Sequence, residues 1–268
     1  MDRRRRSPLR RNPRLVLWTS VNDATRAPEV ALFIPCFVDQ VTPEIGRDLV
    51  SVLERLGCRL RFPEGQTCCG QPAFNAGYRS QARAMMRHFL DVFDGAEAIV
   101  CPSGSCTAMA RRFYAELAAG EAKLEEQARQ VCPRVYEFSE FVVRRLGVVD
   151  LGAKFPHRVA VHDGCHMLRE LRLKQEPREL LRRVEGLELV EIEDAERCCG
   201  FGGSFSIAYG MVSEAMAARK ADALEASGVE YVAACDPSCL LQIGGVLARR
   251  PGRVRTLHLA SLLARGLE

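Results

Sequence analysis

Phe62-Pro-Glu-Gly-Gln-Thr-Cys-Cys-Gly-Gln-Pro-Ala-Phe-Asn-Ala-Gly-Tyr78 contains a tripeptide, Cys68-Cys69-Gly70, that returns as Cys198-Cys199-Gly200 in the stretch Cys198-Cys-Gly-Phe-Gly-Gly-Ser-Phe-Ser206. Working outward from either copy, the same landmarks appear in the same order. Upstream, a lone cysteine ends or follows an apolar run, Cys36 in EVALFIPC (29–36) and Cys165 just after HRVAVHDG (157–164). Downstream lies a pair, Cys101 and Cys106 in CPSGSC, Cys235 and Cys239 in CDPSC. Ten of the 12 cysteines belong to this internal repeat, and only Cys58 and Cys132 fall outside it. Self-similarity at a long, nearly constant offset marks a duplicated structural unit.

The segments between the cysteines carry matching patterns. EVALFIP (29–35), HRVAVHD (157–163), AEAIVC (96–101) and VEYVAAC (229–235) are short aliphatic runs that read as buried strands. Thr42–Leu56 places Leu49, Val52, Leu53 and Leu56 at helical spacing, as the stretch after the first CCG places Met85, Met86, Phe89, Leu90 and Phe93. In Tyr209–Ala226 the corresponding side is expected to be Met211, Ala215 and Met216. Pro102-Ser103-Gly104 and Asp236-Pro237-Ser238 are turns that lead into helices. Strands alternating with helices predict an α/β fold of two pseudo-symmetric halves with mainly parallel sheets, each carrying a CCG motif. The expected division is a basic tail at 1–28, a first half at 29–146, a connection LGVVDLGAKFP at 146–156 and a second half at 157–266.

Composition narrows the chemistry. The 268 residues are 47% hydrophobic and 27% charged, which excludes wholesale disorder and leaves room for two small domains or one large one. The net charge of +4 comes from seven arginines within the first 14 residues, and the remainder is close to neutral. That basic stretch is expected to be a solvated, disordered tail, and nucleic-acid binding is not predicted. No apolar run reaches the length of a spanning helix, and no secretory signal pattern opens the chain, so a cytoplasmic protein with no membrane span is expected. Many cysteines in that setting point to metal ligation or thiol chemistry rather than a disulfide scaffold.

In both halves the cysteines fall at strand ends and in the following loops, the edge where open parallel sheets place their sites. Each half can therefore gather four or five thiols from three loops, and thiolates suit iron–sulfur clusters and zinc. The spacings are too wide for a zinc ribbon, and no C-x2-C-x2-C run of a cubane ferredoxin occurs. A dithiol redox centre and a zinc-stabilised scaffold stay open as alternatives. His162 and His166 flank Cys165, where capping or orienting a ligand is the favoured role and ligation or proton relay the alternative. Gly202-Gly203 would permit close backbone approach. No dinucleotide fingerprint, P-loop or nucleophile elbow is present, so no flavin or NAD site is predicted.

The pattern C-x31-CCG-x30-C-x4-C followed by C-x32-CCG-x34-C-x3-C resembles the duplicated cysteine-rich CCG domain found in heterodisulfide reductase and in the glycolate oxidase iron–sulfur subunit. FPEGQTCCGQPAFNAGY, PSGSC, CCGFGGSFS and SCLLQIGG are most similar to the lactate utilization protein A family. The resemblance spans about residues 29–266. It implies an iron–sulfur protein of the 4Fe-4S type, an electron-transfer subunit of a complex that oxidises L-lactate to pyruvate. Its implied partners are a ferredoxin-motif iron–sulfur subunit and a third subunit, with no catalytic activity in this chain alone. It also implies two ligand sets, Cys36, Cys68, Cys69 and Cys106, then Cys165, Cys198, Cys199 and Cys239. Cys101 and Cys235 are candidate fifth ligands, and because the closing pairs depart from the family's C-x2-C, with four and three residues between, Cys106 and Cys239 are preferred over them.

Overall fold

Eight short strands build two sheets in the computed structural model, which describes residues 27–252 and 254–268. β1 (Glu29–Leu32), β2 (Arg59–Arg61), β3 (Ile99–Cys101) and β4 (Val135–Glu137) form one sheet in the order β2-β1-β3-β4. β5 (Arg158–Val161), β6 (Glu188–Val190), β7 (Tyr231–Ala234) and β8 (Arg255–His258) form the other in the order β6-β5-β7-β8. Every pairing within the sheets is parallel, with Ala31 opposite Arg61 and Ile99, and Ala160 opposite Val190 and Val232. The central strands β1, β3, β5 and β7 are covered on both faces, which is why they read as continuous aliphatic runs rather than alternating ones. The predicted α/β architecture of two pseudo-symmetric halves is what the chain adopts. The basic tail lies outside the described residues, apart from its last two.

Parallel neighbours need crossover connections, and helices supply them. Pro43–Arg55 starts on a proline and buries Ile45, Leu49, Val52 and Leu53. Arg79–Val92 buries Ala82, Met86, Phe89 and Leu90. Its counterpart in the second half, Gly210–Ala226, is rotated away from the expected side. Met211 is 87% exposed, and Ser213, Ala217, Lys220, Ala221 and Leu224 face inward. Alanines on every side of this helix leave its apolar pattern ambiguous, and close backbone packing against the second CCG turn decides the rotation.

The halves share one core. Val30, Leu32, Leu49, Val100 and Phe138 pack in the same cluster as Val159, Val161, Leu180, Ala233 and Leu262, while each sheet's outer face has a core of its own. The exchange is reciprocal: helix Leu259–Gly266 packs on Pro43–Arg55, as Gln175–Leu181 packs on the Phe138–Arg145 helical segment. The connection at 146–156 forms no helix or strand beyond a single bridge, yet Leu151, Ala153 and Phe155 are buried in the shared core. Phe155 N donates to Glu185 O (2.9 Å) and Glu185 N to Ala153 O (2.8 Å), so this segment lines the edge of the second half. At the junction Ser105 N donates to the Asp236 carboxylate at 2.7 Å, and Gly104 N to Cys235 O at 3.0 Å. Among the described residues no helix is long and apolar enough to cross a membrane.

Candidate metal centres

β1 and β3 are adjacent, but their onward connections leave in opposite directions, toward β2 on one side and β4 on the other. The crevice above the carboxyl ends of such a pair is where open α/β sheets bind ligands. Cys36 opens the short helix Cys36–Val41 just past β1, Cys106 lies in helix Gly104–Ala108 just past β3, and Cys68 and Cys69 come from the loop after β2. The second half repeats this. Cys165 begins helix Cys165–Arg169 after β5, Cys239 lies in helix Pro237–Leu247 after β7, and Cys198 and Cys199 follow β6.

In the first half the thiols form a continuous chain. Cys68 Sγ is hydrogen-bonded by the thiols of Cys36 and Cys69 and accepts from Gly70 N–H at 3.4 Å, and these donors pull it down to about 3. Cys69 is in turn hydrogen-bonded to Cys106, and this contact, with its bond to Cys68 and its burial, pushes it up. In the second half Cys198 is hydrogen-bonded by Cys165 and Cys199, accepts from Gly200 N–H at 3.4 Å, and falls to about 2. Cys199 and Cys239 sulfurs stand 3.1 Å apart. Each half thus holds one thiolate in a cradle of three donors, within a group of four sulfurs.

The glycine of each CCG is what makes the cradle. Gly70 (φ +83) and Gly200 (φ +88) occupy the left-handed region, which turns their N–H back onto the sulfur two residues earlier. A Cβ at Gly200 would stand 2.6 Å from Ser213 O, against 3.3 Å from Met85 Cβ at Gly70.

Cys101 and Cys235 make no hydrogen bond to these groups of four, although Cys101 is close enough to Cys106 to feel its charge. Cys101 is pushed up by burial and hydrogen-bonded to Thr107. Cys235 lies against Glu137 and Ser139 of the opposite half and is likewise raised by burial. Cys58 and Cys132 sit in the hydrophobic cores, and burial pushes both to about 12.

His166 Nδ1 approaches Cys165 Sγ at 3.6 Å. His162 caps no helix. It is 2% exposed, neither ring nitrogen makes a well-formed hydrogen bond although the Ala195 backbone is near, and one of them lies within 4.8 Å of both the Cys199 and Cys239 sulfurs. Burial, helped by Lys220, depresses it to about 3, so the ring is neutral and free to offer a lone pair.

The supporting residues are not visible in the cysteine spacing. In the first half Gln66 accepts from Ile34 N (2.7 Å) and donates to Leu32 O (3.2 Å), tying the Cys36 loop to the CCG loop, and Tyr114 Oη donates to Cys69 O at 2.9 Å. In the second, Arg178 forks onto Asp163 at 2.7 and 2.9 Å and reaches Glu191 at 2.8 Å, all beneath the Cys165 loop. Lys220 Nζ donates to the carbonyls of Asp194 and Ala195 ahead of the second CCG. None of these left a signal in the sequence, since even the inward side of the alanine-rich helix that carries Lys220 is set only on folding.

Soft, closely grouped sulfurs with a ready thiolate and an unpartnered imidazole fit a thiophilic metal or an iron–sulfur cluster. The arrangement defines a protein of two cysteine-rich CCG domains, and residues 30–111 and 159–244 match the family described as Cysteine-rich domain. The chain is 43% identical over 235 residues to Lactate utilization protein A of Bacillus velezensis, covering 88% of this chain and 98% of that relative. It is 41% identical, with the same coverages, to Lactate utilization protein A of Bacillus subtilis. The chain belongs to the lactate utilization protein A family. Among solved structures, a hypothetical protein from Helicobacter pylori shares the fold at a TM-score of 0.62 and 11% identity, over 93% of this chain and 52% of that one.

Proposed function

We propose that this chain is a cytoplasmic iron–sulfur electron-transfer subunit of a complex that oxidises L-lactate to pyruvate. The observation that carries the reading is the pair of four-sulfur groups, each with a poised thiolate, at the switch points of two parallel sheets. The relatives' names supply lactate. A cluster at each site would supply one-electron transfer. Cys36, Cys68, Cys69 and Cys106 would hold the first, and Cys165, Cys198, Cys199 and Cys239 the second. Oxidising lactate releases two electrons and two protons, and the two-electron step belongs to a cofactor on a partner subunit.

The partners are a ferredoxin-motif iron–sulfur subunit and a third subunit. Beside the second CCG, Ile207 (88% exposed), Tyr209, Met211 and Val212 form an exposed apolar strip suited to receive the ferredoxin-motif partner close to the second centre. A second reading, thiol–disulfide exchange, is favoured only by the short Cys199–Cys239 contact.

Anaerobic reconstitution followed by iron and acid-labile sulfide analysis tests the reading. Several irons with matching sulfide per chain are expected, and lactate-dependent dye reduction should appear only when the partner subunits are added. Stoichiometric zinc without sulfide, or full activity from this chain alone, would overturn it.

A further inference from the structure

We propose that His162 is a direct nitrogen ligand of the second centre, so that the two centres differ in kind: the first all thiolate, the second thiolate and imidazole. The inference rests on the iron–sulfur reading above and specifies the chemistry of one of its two sites.

The duplicated fold provides an internal control. Phe33 N donates to Val100 O and His162 N to Ala233 O, one residue past β1 and β5, so Phe33 and His162 occupy equivalent positions. The helices over the two CCG turns can be registered in the same way. Gly70 lies against Ala82 and Met85, and Gly200 against Ser213 and Met216, which places Phe89 opposite Lys220. In the first half Phe33 and Phe89 meet edge to face with centroids 4.9 Å apart, an ordinary aromatic core contact. In the second half the same two positions hold an imidazole and an ammonium group.

A buried polar ring without partners is costly, and native structures rarely keep one. His258 shows how a structural histidine is accommodated here, since its Nδ1 accepts from Ala260 N at 3.1 Å and caps a helix. His162 does nothing of the kind: it caps no helix, neither nitrogen makes a well-formed hydrogen bond, and one of them lies within 4.8 Å of the Cys199 and Cys239 sulfurs. A metal accounts for both the orphaned nitrogens and the neighbouring sulfurs. Lys220 holds the loop before the second CCG, and its ammonium group lies near the Cys199 and Cys239 sulfurs, where a positive charge offsets the charge that a group of thiolates brings.

The imidazole would be added to the four thiolates of the second centre, at a position where the first centre has only a phenylalanine ring.

The test uses the full chain, reconstituted with iron and sulfide, with histidine selectively labelled with ¹⁵N. Pulsed electron paramagnetic resonance should show a strongly coupled histidine nitrogen on one of two centres. In His162→Phe, which installs the residue of the first half, that coupling should vanish while the first centre's signal persists. His162→Cys should restore iron content and lower the potential of the second centre. His166→Asn should leave the coupling in place. Two assembled centres with no coupled histidine nitrogen in the parent chain, or a coupling that survives His162→Phe, would overturn the assignment while leaving the iron–sulfur reading intact. A parent chain that takes up no iron and sulfide would overturn both. The parent measurement decides the matter even if His162→Phe fails to fold.

Discussion

The two CCG sites have the same backbone and different surroundings. Around the first, Phe33, Phe89 and Phe93 pack as an aromatic cluster, Gln66 links the loops through an uncharged amide, and the Tyr114 hydroxyl fastens the Cys69 carbonyl. Around the second, His162 and Lys220 take the aromatic positions, an Arg178–Asp163–Glu191 network links the loops, and the Ser213 hydroxyl fastens the Gly200 carbonyl at 2.8 Å. The spacing of thiols and the left-handed glycine are held constant, whereas polarity and charge next to the sulfurs are not. Duplication of the cysteine-rich unit thus preserves the arrangement of the sulfurs and leaves the residues around them free to diverge.

The largest effect expected from breaking this comparison is on metal content. Cys68→Ser and Cys198→Ser should each remove about half of the bound iron, because each deletes the thiolate of one centre. Cys235→Ser should leave iron content unchanged, since that sulfur faces Glu137 and Ser139 instead of the group of four. Equal iron loss in Cys235→Ser would show that the second centre recruits a fifth sulfur. Iron analysis of the three variants decides it.

The loop ties should differ next. Arg178 and Asp163 are 2% and 3% exposed, so Arg178→Met strands a buried carboxylate and should cost about 3–5 kcal/mol in urea denaturation. Gln66→Ala, its counterpart in role, removes neutral hydrogen bonds only and should cost about 1–2 kcal/mol. Equal costs would mean that the two halves depend on their ties alike.

A third contrast lies at the ends of β4 and β8. Glu137 caps the helix that follows it through Ser139 N and Glu140 N, and His258 caps its own helix; each keeps one buried atom unpartnered. Burial raises Glu137 to about 7 and lowers His258 to about 4. Between its ordinary range and pH 7 the folded chain holds an extra proton on Glu137, so that contribution to stability falls as pH rises. For His258 the unfolded chain holds the extra proton between about pH 4 and the usual histidine range, so its contribution rises with pH. The two slopes oppose each other. Relative to the parent, Glu137→Gln should make stability rise more steeply between pH 4 and 6.5, by about 2–3 kcal/mol over that window, and His258→Gln should make it rise less steeply by a similar amount. Denaturation midpoints measured beside the parent at each pH check the sign, and parallel profiles in the two variants would refute it.

The smallest effect separates the two glycines. Gly70→Ala should cost about 1 kcal/mol for its positive φ, and Gly200→Ala about 2–3 kcal/mol, because its methyl also meets Ser213 O. Equal thermal shifts would show that the second turn relaxes as readily as the first.

The order and spacing of the cysteines determined the duplication, the parallel α/β class and the family, because an aliphatic run ending in a ligand is legible one residue at a time. The edge strands β2, β4, β6 and β8 are not legible in the same way. They are three or four residues long, and β2 is Arg59-Leu60-Arg61, with no apolar run to betray it. The inward side of Gly210–Ala226 differs from its sequence reading because an alanine-rich helix shows no strong stripe, and its rotation is decided by the contact of Gly200 with Ser213. The connection at 146–156 reads as a linker, although four of its side chains, Leu146, Leu151, Ala153 and Phe155, complete the shared core. His162 stands in the sequence as one of two histidines beside a cysteine, and only the folded chain distinguishes them. Burial and the lack of a hydrogen-bond partner depend on what surrounds a side chain in space, and for His162 the neighbours that matter are Cys199, Lys220 and Cys239, which are 37 to 77 positions away along the chain.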